Sequence, residues 1–275
     1  MASDLIPGGP VHYSRLKKFR HSAAHYLSHE DKATPSLGKG SAVHSVLLGG
    51  KRVVVYEGGA RNPKFSKYQD FMAANENAFI VSPKEAADVV GMRKSIEGHT
   101  RAMAILEGER EKLIEWETMG RKCAGTPDNV RFGLPAMQFR GRQYPACEGK
   151  VGAELKTSKT AAPWSFPWEA KRYGYAGQCS WYRNGIEQTL VYPPGPVSDY
   201  FVVVVESTAP YPVTVFHYEE RALNKARMEW RGWMERLLEC ERAGKFPDYT
   251  DEDVSLGIDD DLDLDWGAED DEAAA

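Results

Sequence analysis

The segment Tyr200 to Glu206, YFVVVVE, constrains the fold more than any other part of the chain. Successive side chains of a strand point to opposite faces, so the unbroken apolar run Phe201 to Val205 leaves neither face for water. Such a run predicts a central strand covered on both sides, as in a sheet with helices packed against each face. With 275 residues the chain is long enough to bury a core of that kind. Pro210 and Pro212 then break the stretch 200–218 into two strands, because proline cannot donate to a ladder.

Around this strand the spacing of apolar residues predicts the remaining elements. Residues 11–29 form a basic helical segment, with Leu16, Phe19, Ala23, Tyr26 and Leu27 at helical intervals. A short helix carrying His44 ends at Gly49 and Gly50, and Lys51 to Tyr56 is a strand followed by a polar loop. Ser82-Pro83-Lys84-Glu85 has the capping-box serine and glutamate, with proline at the first helical position. The helix it starts is predicted to run to about Leu106, with Gly91 and Gly98 marking a bend or a close packing contact. Strands are predicted within 113–132 and 150–157, and a helix over 167–183. The final helix, 219–243, gathers Leu223, Ala226, Trp230, Trp233, Leu237 and Leu238 on one face and stops at Gly244.

Charge divides the chain. Residues 248–275 hold 13 of the 40 acidic residues and no cation, leaving 27 acidic against 35 basic residues before them, a net +8. A basic body suits a polyanionic partner such as nucleic acid. The acidic stretch, with Leu262, Leu264 and Trp266 as its scattered apolar residues, is predicted to be disordered; it would compete with nucleic acid for the body or offer those residues to a partner. Composition, at 42% apolar and 27% charged, excludes collagenous, wholly disordered and multi-span membrane chains. Cys123, Cys147, Cys179 and Cys240 lack the paired spacing of zinc or redox motifs and read as reduced structural thiols. No apolar leader or membrane-length run is present in the sequence, which predicts a cytoplasmic protein.

Chemistry concentrates in two short motifs, Gly125-Thr126-Pro127-Asp128 and Gly152-Ala153-Glu154-Leu155-Lys156-Thr157. On a strand, Glu154 and Lys156 share one face while Leu155 points into the opposite layer. Asp128 on a neighbouring turn or strand adds a second carboxylate, and such oxygen donors suit a hard cation such as Mg²⁺. Hydrolysis of a phosphodiester needs charge stabilised on both the attacking and the departing oxygen, which is what bound divalent ions provide. Lys156 would orient the attacking water, assist its deprotonation or neutralise developing charge.

Taken with YSRLKKFRHSAAHYL, GSAVH, Glu111 and Trp116 ahead of the Gly125–Asp128 turn, ELKT, YGYAGQCSWYRNG, APYPV and FPDYT, these motifs resemble the PD-(D/E)XK nuclease superfamily. Within it the chain resembles the RecE-type exonuclease VIII group of phage and prophage recombination exonucleases, relatives of lambda-exonuclease-like and RecB-like nucleases, over roughly residues 12–255. The resemblance implies an α/β fold with a restriction-endonuclease-like core, a mixed central sheet flanked by helices, spanning residues 1–247 ahead of the tail. The active cleft is expected at the edge of that sheet. The resemblance further implies Asp128 and Glu154 as metal-binding carboxylates, Lys156 as the catalytic lysine, and His44, the Leu155 backbone carbonyl and Glu111 as further metal ligands. Gln178 and Tyr182 match a Q-x-x-x-Y element and would act in positioning. Arg15, Lys17, Lys18 and Arg20 would meet DNA phosphates with Tyr13 and Phe19 stacking on a frayed base, while Arg140 and Arg142 lie on the 25-residue connection from Asp128 to Glu154.

The activity so implied is Mg²⁺-dependent exonucleolytic degradation of linear double-stranded DNA, Mn²⁺ being a substitute, in the 5′-to-3′ direction. It leaves a 3′ single strand for a single-strand annealing protein, and the resemblance implies a ring-like homo-oligomer with no membrane association. The chain departs from the pattern in Cys123-Ala124-Gly125-Thr126-Pro127-Asp128, where related sequences often carry Lys and Arg in a C-K-x-R-P-D stretch; Arg121 and Lys122 would have to substitute. Two other readings are a structure-specific endonuclease of the same fold and a nuclease-fold module that binds DNA or a partner without cutting. An iron-sulfur version is opposed by Cys240 standing alone near the C-terminus.

Overall fold

The structure is a computed structural model that describes residues 8–28 and 35–255. Of the acidic stretch 248–275, for which the sequence predicts disorder, residues 256–275 lie outside the described residues. In chain order the elements are α1 (Tyr13–Leu16), a 3-10 turn (Lys17–Arg20), α2 (Ala23–Leu27), α3 (Pro35–Leu48), β1 (Arg52–Val55), α4 (Ser66–Ala73), β2 (Ala78–Val81), α5 (Pro83–Glu97) and α6 (Thr100–Leu106). There follow β3 (Glu109–Arg110), β4 (Ile114–Thr118), β5 (Arg121–Gly125), β6 (Asn129–Leu134), β7 (Met137–Phe139), β8 (Arg142–Tyr144) and β9 (Cys147–Ser158). Helices α7 (Phe166–Tyr173) and α8 (Tyr175–Gln188), strands β10 (Val197–Glu206) and β11 (Val213–His217), and α9 (Glu220–Ala243) complete it.

The main sheet has the order β11-β10-β9-β6-β3. Strands β9 and β10 are parallel, and the other pairs are antiparallel, so the sheet is mixed. The parallel pair needs a crossover, which α7 and α8 supply. As the apolar run predicts, β10 is covered on both faces. Val202 and Val204 belong to a core layer with Trp181 of α8 and Trp230 of α9, whose rings meet at 5.2 Å. Phe201, Val203 and Val205 belong to the opposite layer with Met92 and Ile96 of α5 and Ile105 of α6. Register pairs Val202 with Glu154 and Val204 with Lys156, placing both polar side chains in the α8 layer, while Leu155 packs in the other.

Several elements differ from the sequence reading. The basic N-terminal segment is two short helices, because Ser22 takes an extended conformation and its side chain caps α2 through the His25 amide. The helix from Pro83 ends at Gly98, and the His99 ring accepts from the Ala102 amide to start α6. Gly91 is instead the close contact, where a Cβ would run into the Tyr211 ring. Helix α4 and strand β2 occupy the region read as a polar loop, and β4 with β5 forms a hairpin separate from the main sheet. The motif strand β9 is the middle strand of the sheet, which corrects the expectation of a cleft at the sheet edge. The four cysteines are free, and no helix among the described residues is long and apolar enough to cross a membrane.

Gly152 on β9 pairs with Tyr200 on β10, and a Cβ there would collide with the Tyr200 ring. Gly152→Ala is therefore expected to destabilise the protein by about 1–3 kcal/mol, the usual cost of overpacking a filled core. Urea denaturation of the variant against wild type measures this, and an unchanged midpoint would contradict the close packing.

Candidate active site

Asp128 sits on the tight connection from β5 to β6, one residue before β6 begins. The β6–β9 ladder ends at the pair Asn129 and Ala153, so the next inward amide of β9, that of Leu155, has no strand partner there. Asp128 Oδ2 accepts it at 2.7 Å. The Asp128 amide in turn donates to Glu154 Oε1 at 3.3 Å, so each carboxylate is bound to the other's stretch of main chain. Glu154 is 1% exposed. Its Oε1 also accepts from the Tyr200 hydroxyl at 3.2 Å, and its Oε2 accepts from Lys156 Nζ at 2.9 Å.

Burial sets the protonation behaviour here. Glu154 is pushed up to about 7 by burial and then by the nearby Asp128 carboxylate, with Lys156 and the Asp128 amide acting in the opposite direction. Burial likewise raises Asp128, against the pull of Lys156 and the Leu155 amide. For Lys156 burial alone favours the neutral amine, but Glu154 and Asp128 outweigh it and hold the ammonium well above its ordinary value. The ring of Tyr175 lies 5.4 Å from Lys156 Nζ and closes that side of the cation.

His44 reaches the same cluster from α3. Its neighbour one turn back, Gly40, faces β9, where a Cβ would stand only 2.9 Å from Thr157 Oγ1. Glycine at that position lets the helix approach the strand closely enough for His44 Nδ1 to come within 3.7 Å of Asp128 Oδ1. Burial and then Lys156 lower the imidazole to about 4, against Glu154, a main-chain hydrogen bond to Leu155 and Glu111. The contact with Asp128 is thus that of a neutral ring, not an ion pair, at neutral pH. Glu111 takes a left-handed φ of 46°, and its amide donates to the Asp128 carbonyl at 3.2 Å. Burial and the Asp128 charge raise its carboxyl, while His44 lowers it.

Helix α8 closes the far side. Gln178 Nε2 donates to the Tyr182 hydroxyl at 3.4 Å, and burial followed by the Glu154 charge raises the Tyr182 phenol. The Tyr182 ring rests where Gly125 has no side chain. Tyr175 and Tyr200, which the sequence reading does not single out, belong to the site by these contacts. Only the pairing of Tyr200 with Gly152 across two strands could have pointed to the latter.

The structure therefore brings together His44, Glu111, Asp128, Glu154, the Leu155 main chain, Lys156, Gln178 and Tyr182. It does not bring the other candidates to the same point. Arg15 donates to the Tyr26 and Leu27 carbonyls at 2.8 and 3.1 Å, capping α2. Arg20 donates to the Arg172 carbonyl at 2.8 Å, and Lys17 and Lys18 share its 3-10 turn. Tyr13 and Phe19 are core residues, 6% and 0% exposed, which corrects their expected stacking role. Arg140 and Arg142 lie on the β7–β8 hairpin; Phe139 packs on His99 at 4.3 Å and Tyr144 under Arg101 at 4.5 Å, in the layer opposite Glu154. Arg121 pairs with Glu241 of α9 at 3.1 Å rather than facing Asp128.

Among the described residues no three His, Cys, Asp or Glu side chains stand ready-made in ligating geometry, and Lys156 and the Leu155 amide engage the carboxylates. The donor set nevertheless fits a hard divalent cation. Asp128 and Glu154, whose affinity for protons is raised, flank the single Lys156 ammonium, and Glu111, raised likewise, acts on Asp128 beside an imidazole kept neutral, so a cation there would relieve the excess of negative charge.

No protein-family model matches the chain, and no curated protein matches it in sequence. Among solved structures, the fold is similar to that of a protein from Eubacterium rectale named "putative exonuclease", with a TM-score of 0.58 and 15% identity over 91% of each chain. A second structure, SSO0001, aligns at a TM-score of 0.26 with 12% identity over 79% of this chain and 83% of that one, too distant to carry an argument.

The raised Glu154 carboxyl makes stability depend on pH in a definite direction. Unfolded, it ionises near 4.5; folded, near 7. Between those values the folded state holds a proton that the unfolded chain releases, so this contribution to stability is full below 4.5 and lost as pH rises through 7. Glu154→Gln is accordingly expected to gain stability over wild type at pH 8 relative to pH 5. Thermal melting of both proteins in chelator reads it, and an equal difference at the two pH values would mean that Glu154 titrates normally.

Proposed function

We propose that the protein is a divalent-metal-dependent nuclease, a hydrolase of DNA phosphodiester bonds. The observation that carries this reading is the buried pair Asp128 and Glu154, interlocked through each other's main chain with the Lys156 ammonium alongside. The likeness of the fold to a protein named as an exonuclease supports it. Asp128, Glu154, His44, the Leu155 carbonyl and Glu111 would hold Mg²⁺ or Mn²⁺, which when bound lowers the pKa of water and stabilises charge on phosphate oxygens.

The remaining chemistry belongs to the chain itself. Because Lys156 is held as a cation, it donates a hydrogen bond and neutralises developing negative charge instead of taking a proton. Tyr200 and the Asp128 amide fix one oxygen of Glu154 and leave the other to Lys156. Gln178 and Tyr182, bonded to each other, present an amide and a phenol beside them for positioning the substrate. The buried, aromatic-walled setting strengthens each of these interactions by excluding bulk water.

The finer reading rests on the sequence resemblance: an exodeoxyribonuclease that enters linear double-stranded DNA at an end and degrades 5′ to 3′. It would yield a 3′ strand for an annealing protein in the cytoplasm, and act as a ring-like homo-oligomer formed by the body of residues 1–247. The test is Mg²⁺-dependent digestion of linear duplexes labelled at the 5′ or 3′ end, beside a covalently closed circle. Wild type is expected to release 5′ label first and spare the circle, and Lys156→Ala to lose about 10²–10³-fold in rate. Cutting of the circle would make the enzyme an endonuclease, and intact duplex binding without any release would make it a non-cutting module.

A further inference from the structure

The end of β9 and the turn after it lead from Lys156 to an exposed aromatic surface that the proposed chemistry does not use. Of the described tryptophans on this side of the sheet, Trp116, Trp181 and Trp230 are buried and Trp233 is half-buried, whereas Trp164 and Trp168 are 81% and 72% exposed. Their backbone is nevertheless firmly held. Ala162 accepts from the Ser165 and Phe166 amides at 3.0 and 2.9 Å, and the buried Phe166 packs on Phe216 with centroids 4.7 Å apart. The two indoles are thus large apolar faces presented to water on a fixed support.

Their position ties them to the cleft. Ser158, two residues beyond Lys156 and so roughly 6–7 Å along the strand, donates to Glu169 Oε1 in the first turn of α7 at 2.8 Å. Trp168 precedes Glu169 in that turn. Lys171 is exposed with its ammonium 6.0 Å over the Trp168 ring, and Lys159, also exposed, lies five residues before Trp164 in the chain. Residues 159–173 hold three cations, Lys159, Lys171 and Arg172, against one carboxylate, Glu169, which accepts from Ser158, so the segment pairs aromatic faces with positive charge.

We infer that Trp164 and Trp168, flanked by Lys159 and Lys171, form a binding surface for an unpaired nucleic-acid strand next to the cleft. Bases inside a duplex are stacked and hide their faces, while an unpaired strand offers each base to an aromatic ring and each phosphate to a cation. The pairing of exposed indoles with lysines matches that chemistry on both counts, and it assigns the stacking role to side chains that water and substrate can reach. The inference builds on the nuclease reading of the cleft, since a strand emerging from that centre would pass the end of β9.

The experiment measures binding of the full chain, in chelator, to three DNAs that share one duplex: blunt, with a tail of natural bases, and with an abasic tail of equal length. Wild type is expected to prefer the base-bearing tail, and Trp164→Ala/Trp168→Ala to bind that DNA about tenfold more weakly. The abasic tail should bind both proteins alike, and because both indoles lie in solvent the thermal midpoint should not move. Equal binding of the base-bearing and abasic tails by wild type, or a preference retained by the variant, would overturn the proposal. So would a sedimentation change from oligomer to monomer in the variant with its tail preference intact, which would make the patch a contact between copies. Digestion with Mg²⁺ by the same wild-type protein tests the nuclease reading apart from this: a tail preference that depends on the indoles, in a protein that does not cut, supports the patch and removes only the assignment of activity.

Discussion

A carboxylate buried in the middle of a sheet is tolerable only when both of its oxygens are hydrogen-bonded, and the architecture around Glu154 reflects that requirement. One oxygen takes Lys156, and the other takes Tyr200 and the Asp128 amide. Each partner comes from a different position relative to β9: two residues along the same strand, the parallel neighbour β10, and the turn that leads into β6. Shifting the β9–β10 register by one residue would turn the Tyr200 side chain to the opposite layer. The long apolar strand β10 is thus more than core filling, since it fixes where the Tyr200 hydroxyl lands.

The same constraint explains why small residues surround the cluster. Gly152 makes room for the Tyr200 ring, Gly125 for the Tyr182 ring, and Gly40 lets α3 come down on Thr157. Each glycine trades side-chain packing at its own position for a close approach that delivers a polar group to the site. What remains is a centre with more carboxylates than cations, stable as a fold and electrically incomplete.

Much of this framework can be read from the sequence where the signal is local. Strand alternation puts Glu154 and Lys156 together, the Ser82 and Glu85 capping box starts α5, and five apolar residues in a row identify the covered strand β10. Long-range pairings leave no such mark. Nothing near Tyr200 or Tyr175 in the chain announces Glu154 or Lys156 as a neighbour, and nothing around Arg15 announces its bonds to the Tyr26 and Leu27 carbonyls. Tyr13 and Phe19 illustrate a different failure: an amphipathic pattern shows that one face is buried, and the aromatic residues between the cations are that face. The break at His99 is hidden because an imidazole is an uncommon helix cap.

The β7–β8 hairpin belongs to a strand connection that is long but fixed at both ends. Asp128 and Glu154 are held by pairing between Asn129 and Ala153, whereas the hairpin between them rests on α6 in the opposite layer. Its length and composition can therefore drift without moving either carboxylate. For a designer or for natural variation, that makes the loop a port: a place where one surface element can be exchanged for another while the two carboxylates stay in register.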